Sequence, residues 1–95
     1  MKKGTFLKSI SNGEYVKTKA YLSEHFAVVK LFSDYWLISH RSTGRRIPIS
    51  ATRLKYARVI TAELEKSDVD WKTYPYTGAL EAIKSCYNID GSIAG

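Results

Sequence analysis

Hydrophobic and polar positions alternate with a period of two through roughly the first half of the chain, then recur with a helical period. Turn signals divide the alternating half into five runs, at residues 5–10, 15–22, 25–32, 35–40 and 45–49. Ser11-Asn12-Gly13-Glu14 separates the first two. Asn-Gly between alternating runs predicts a two-residue hairpin turn, because both residues tolerate positive φ. Ser23-Glu24, Ser33-Asp34 and the loop Arg41-Ser42-Thr43-Gly44 separate the others. Pro48 has no N–H to donate, which puts the fifth run at a sheet edge. From residue 51 to 66 the apolar residues Ala51, Leu54, Ala57, Ile60 and Leu64 form one helical stripe, with Ser50 or Thr52 as N-cap. A loop at 68–76 holds Trp71, Tyr74, Pro75 and Tyr76. A second helix spans 78–87, capped by Thr77, with Leu80, Ile83, Cys86 and Tyr87 on one side.

These elements predict an α+β fold: an antiparallel four- to five-stranded meander followed by two helices packed on one sheet face. The chain is short enough for one domain over 1–95, with a sheet half at 1–49, a helical half at 50–88 and a short tail at 89–95.

Hairpin registers assign faces. A turn at Asn12-Gly13 sets Phe6 opposite Lys19 and Lys8 opposite Lys17. A turn at Ser23-Glu24 sets Lys17 opposite Lys30, and one at Ser33-Asp34 sets Phe32 opposite Tyr35 and Lys30 opposite Leu37. The last loop sets Ser39 opposite Arg46. One face then carries Leu7, Val16, Ala20, Leu22, Ala27, Val29, Leu31, Trp36, Ile38, Ile47 and Ile49, a core for the helices to cover. The other carries Phe6, Lys8, Ile10, Tyr15, Lys17, Lys19, Tyr21, Phe26, Val28, Lys30, Phe32, Tyr35, Leu37 and Arg46.

Charge sharpens the second face. Residues 1–60 carry twelve Lys/Arg against Glu14, Glu24 and Asp34, a balance of +9; residues 61–95 carry three lysines against six acids, −3, making +6 in all. A basic sheet half points to an anionic partner. Aromatic rings for base stacking, set among cations for phosphates, are what a single-strand or RNA-binding sheet needs. The candidate nucleic-acid-binding residues are Lys8, Tyr15, Lys17, Lys19, Tyr21, Phe26, Lys30, Phe32 and Tyr35, with Arg41, Arg45, Arg46 and Arg53 gripping the backbone near the first helix. The same face also suits a protein or ribonucleoprotein with an acidic surface, or a homodimer.

Catalytic signals are sparse, so the reading is a binding module, not an enzyme, with no cofactor. His25 and His40 could serve a toxin-like ribonuclease with Arg45, a third reading. There is no phosphate-binding glycine loop, nucleophile elbow or metal-ligand spacing, so no metal is expected. The lone Cys86 falls on an apolar helix side, as a buried thiol would. No run is long and apolar enough for a membrane span or a signal peptide, which predicts a cytoplasmic protein with no membrane partner.

The stretch Asp34-Tyr35-Trp36-Leu37-Ile38-Ser39-His40-Arg41-Ser42-Thr43-Gly44, followed by a helix and then Val69-Asp70-Trp71, resembles small accessory proteins of bacteriophages. That resemblance assigns no residue a role. It implies an inhibitor of a host enzyme or defence ribonucleoprotein complex as the alternative to nucleic-acid binding.

Overall fold

The computed structural model describes residues 1–87 and 89. Five strands form one antiparallel sheet in chain order: β1 (Lys2–Ser9), β2 (Tyr15–Leu22), β3 (Phe26–Phe32), β4 (Tyr35–His40) and β5 (Arg46–Ala51). Two helices follow, α1 (Leu54–Lys66) and α2 (Ala79–Lys84). The α+β meander is therefore present. Pro48 lies exposed on β5, the sheet edge.

α1 packs on β3, β4 and β5. Its stripe of Ala57, Ile60, Thr61 and Leu64 is buried against Phe26, Val28, Trp36, Ile38, Ile47, Ile49 and Ala51. Each fully buried large side chain contributes about 1.5–3 kcal/mol. Trp71 enters the same core from the loop after α1, where its Nε1–H donates to the Leu64 carbonyl at 2.9 Å. α2 adds Ile83, and the turn after it adds Cys86.

Both helices begin later than their sequence signals suggest. Ala51 ends β5, and Arg53 stands at the N-cap of α1 without a side-chain cap bond. Gly78, with φ of 85°, precedes α2, so Thr77 is no cap and Leu80 turns to solvent. Ile89, in the expected tail, packs against the core; residues 90–95 lie outside the described residues, as does Asn88.

Register is where the expectations fail. Asn12 and Gly13 do take positive φ, 67° and 73°, but the loop has three residues, Ser11–Gly13, and the Ile10 N–H bonds the Glu14 carbonyl. Phe6 therefore pairs with Thr18, Lys8 with Val16 and Leu7 with Lys17. This one-residue slip turns β1 over relative to β2. Phe6 is buried and Leu7 is exposed, the reverse of the expected faces. A bulge between Lys30 and Phe32 does the same at β3–β4. Phe32 pairs with Tyr35 as expected, but Lys30 pairs with Trp36 and Phe26 with His40. Phe26 and Val28 consequently face the helices and are fully buried, while Leu31 is half exposed. The Ser39–Arg46 pairing of β4 and β5 stands.

The sheet is curled. β2 stays with β3 only at Tyr21↔Val28 and Leu22↔Ala27. In a flat sheet β1 would lie about 14 Å from β4, three strand spacings away. Instead the Ser9 N–H bonds the Gly44 carbonyl in the β4–β5 loop at 2.9 Å. Gly44 has φ of 72°, and a Cβ there would stand 2.3 Å from the Leu7 carbonyl oxygen. The curl encloses a second cluster on the side away from the helices: Phe6, Ala20, Ala27 and Val29, with Leu22 beside them. Ala20, Ala27 and Val29 are thus core residues, but of this smaller cluster. Among the described residues, no helix is long and apolar enough to cross a membrane.

Candidate nucleic-acid interface

Strand alternation puts Tyr15, Lys17, Lys19 and Tyr21 on one side of β2. Their partners on β1 are Ser9, Leu7, Thr5 and Lys3, which share that side. The hairpin has left the helix-covered sheet here, so all of these except Ser9 and Tyr21, which are half-buried, are exposed. Tyr15 is 57% exposed. The result is an outward stripe of rings and lysines.

Each end of the stripe runs into a cleft. At one end, where β2 parts from β3, Lys3, Lys19, Tyr21, Lys30 and Trp36 line a hollow of about 470 Å³. The Tyr21 ring lies 5.8 Å from that of Trp36, and Lys3 Nζ and the Arg58 guanidinium approach it at 5.7 and 5.3 Å. Cations held over a ring in this way keep positive charge at the cleft mouth. At the other end, Tyr15, Arg45, Arg46, Tyr74 and Tyr76 line a larger cleft of about 790 Å³. Among the described residues, no carboxylate lines either cleft.

The remaining candidates are dispersed. Lys8 lies half-buried on the opposite side of the hairpin, so the row of Lys8, Lys17 and Lys30 does not form. Phe26 is sealed beneath Trp71, ring centroids 4.8 Å apart, and has no face to offer a base. Phe32, 62% exposed, stacks on Tyr35 at 5.3 Å near the β3–β4 turn, and the Tyr35 hydroxyl bonds Ser50 Oγ. Arg41 is exposed, its Nη1–H donating to the Ser23 carbonyl. Arg53 is exposed at the start of α1.

The two histidines occupy separate networks. His40 is buried; its Nε2–H donates to the Trp71 carbonyl at 2.7 Å, and Nδ1 pairs with Thr43 Oγ1 at 3.0 Å. Both ring nitrogens are engaged in holding loops together. His25 Nδ1–H donates to Glu65 Oε1 at 2.6 Å, while Glu65 Oε2 accepts from Ser23 Oγ and the His25 N–H. Burial alone would raise the Glu65 carboxyl; the Ser23 and His25 hydrogen bonds and the His25 charge outweigh it and hold the group below its ordinary value. His25 is thus tied to the end of α1, and His40 to the β4–β5 loop and the loop after α1. Glu24, His25 and Glu65 bring donor atoms within 4.8 Å of one another. Glu65 is already committed to three donors. Glu24 and His25 Nε2 alone fall short of the three or four protein ligands of a zinc site.

No protein-family model, curated protein or solved structure matches this chain.

Five contributors escape the sequence reading: Lys3, Trp36, Arg58, Tyr74 and Tyr76. Lys3 precedes the alternating run at 5–10. Tyr74 and Tyr76 belong to an aromatic cluster, Trp71-Lys72-Thr73-Tyr74-Pro75-Tyr76, visible in the sequence. Their place beside Arg45 depends on chain reversal after α1.

Proposed function

We propose that this protein binds nucleic acid through the outward side of the β1–β2 hairpin and the arginines of the β4–β5 loop. One observation carries the reading: exposed Tyr15, Lys17 and Lys19 and half-buried Tyr21 form a stripe that runs, with no carboxylate among the described residues of either flanking cleft, into Arg45 and Arg46. Lysines and arginines neutralise phosphates and release counterions, and rings offer stacking surface.

The test is salt dependence, read by fluorescence anisotropy on a labelled oligonucleotide. If Lys3, Lys17, Lys19, Arg45 and Arg46 each neutralise one phosphate of a single strand, log K falls with log salt at a slope of about −3.5. Affinity then drops about a hundredfold between roughly 50 and 200 mM salt. The Lys17→Glu/Lys19→Glu variant binds more weakly and loses about 1.4 from the slope. Affinity that does not change over this range would end the proposal.

The inhibitor reading draws on a different surface. Leu31 and Phe32 are 50% and 62% exposed beside Tyr35, an apolar patch suited to a protein partner or a second copy. It predicts a salt-resistant complex or dimer that Phe32→Asp abolishes. Phe26 is no test of this surface, since an aspartate there would break the core.

A further inference from the structure

The larger cleft carries the nucleic-acid reading, on which this step rests, from nucleic acid in general to its single-stranded form. Tyr74 is the most exposed large apolar or aromatic side chain among the described residues, at 79%. It meets the Tyr76 ring edge-on at 5.7 Å. The Tyr76 ring is held in turn against His40 at 4.8 Å and Trp71 at 5.9 Å. His40 is locked by its bonds to Thr43 and the Trp71 carbonyl. An outward ring is thus backed by a fixed ladder of rings rooted in the core. Arg45 and Arg46 line the same cleft, and its volume of about 790 Å³ is within the range that holds a small-molecule ligand.

A free base face can lie on Tyr74 while its flanking phosphates meet Arg45 and Arg46. In a duplex both faces of each base are already covered by neighbours, and the backbone alone is on offer. We infer that this cleft receives an unpaired nucleobase, so that the protein binds single strands in preference to duplexes of the same sequence.

The experiment measures anisotropy of a labelled oligonucleotide, alone and annealed to its complement, against the full chain and three variants. Tyr74→Ala weakens the single strand roughly 5- to 150-fold, the value of one stacked base, and leaves duplex affinity and the salt slope unchanged. Tyr74→Phe keeps the ring and binds like wild type. Lys17→Ala/Lys19→Ala weakens both forms. Thermal melts of the Tyr74 variants match wild type, since the side chain is solvent-facing.

Equal wild-type affinity for the two forms overturns the inference, as does a Tyr74→Ala effect that is absent or the same on both. In those cases salt-dependent binding still upholds the wider reading. If wild type binds neither form, both readings fall together. Competition by a polyglutamate peptide as effective as the single strand also overturns it, because such a peptide supplies charge without bases.

Discussion

Replacing Glu65 with alanine removes the link between the end of α1 and the β2–β3 turn. The carboxylate accepts from Ser23 Oγ at 2.7 Å, the His25 N–H at 2.8 Å and His25 Nδ1 at 2.6 Å. Hydrogen bonds to a charged group are worth about 1.5–3 kcal/mol each when buried. The His25 and Glu65 side chains are 19% and 20% exposed, so solvent discounts each bond, and the three are not additive. A loss of about 2–4 kcal/mol follows, a large share of the 5–15 kcal/mol typical of a domain. At about 4–8 °C per kcal/mol for this size, the melting temperature falls by roughly 8–32 °C. Glutamine retains one acceptor oxygen and should cost about 1 kcal/mol. The sign of the pH effect is fixed by the lowered Glu65 pKa. A carboxyl depressed in the folded state stabilises it fully above the ordinary value of 4.5, and that contribution is lost as pH falls through the lowered value. Thermal and urea melts of wild type, Glu65→Gln and Glu65→Ala should therefore separate at neutral pH and converge in acid. Equal stability at neutral pH, or a gap that persists undiminished in acid, would refute the reasoning.

Three further outcomes follow from the fold. Phe26→Ala, at a fully buried position, should cost about 3–5 kcal/mol in urea unfolding, while Phe32→Ala, 62% exposed, should cost under about 1 kcal/mol; the reverse order would contradict the β3–β4 register. Gly44→Ala should lose about 2–4 kcal/mol, because φ is 72° and its methyl would sit 2.3 Å from the Leu7 carbonyl oxygen; an unchanged melting curve would deny that β1 closes on that loop. Burial pushes the Cys86 thiol up, so a thiol reagent should label it only after denaturation, and rapid labelling of the native protein would show the α2 packing to be wrong.

Local chemistry was enough to determine the element order, the antiparallel meander, the edge position of Pro48 and the buried stripe of α1. Period-two and helical spacing and proline chemistry act over a few residues, and Asn-Gly at 12–13 marks the hairpin though not the length of its loop. The alternation of Tyr15, Lys17, Lys19 and Tyr21 on one side of β2 was legible for the same reason. Which residues share a face across strands was not. A third loop residue at Ser11–Gly13 and a bulge before Phe32 each shift pairing by one, and a shift of one exchanges faces. That exchange buried Phe6 and Phe26, exposed Leu7 and Leu31, and separated Lys8 from Lys17. The Glu65–His25 link spans 40 residues, and the meeting of Tyr74 with Arg45 spans the whole of α1. Such contacts exist only after the hairpin has curled and the chain has turned back over the sheet. Tertiary packing sets that geometry, because enclosing a second apolar cluster decides which side of the hairpin is left to face water.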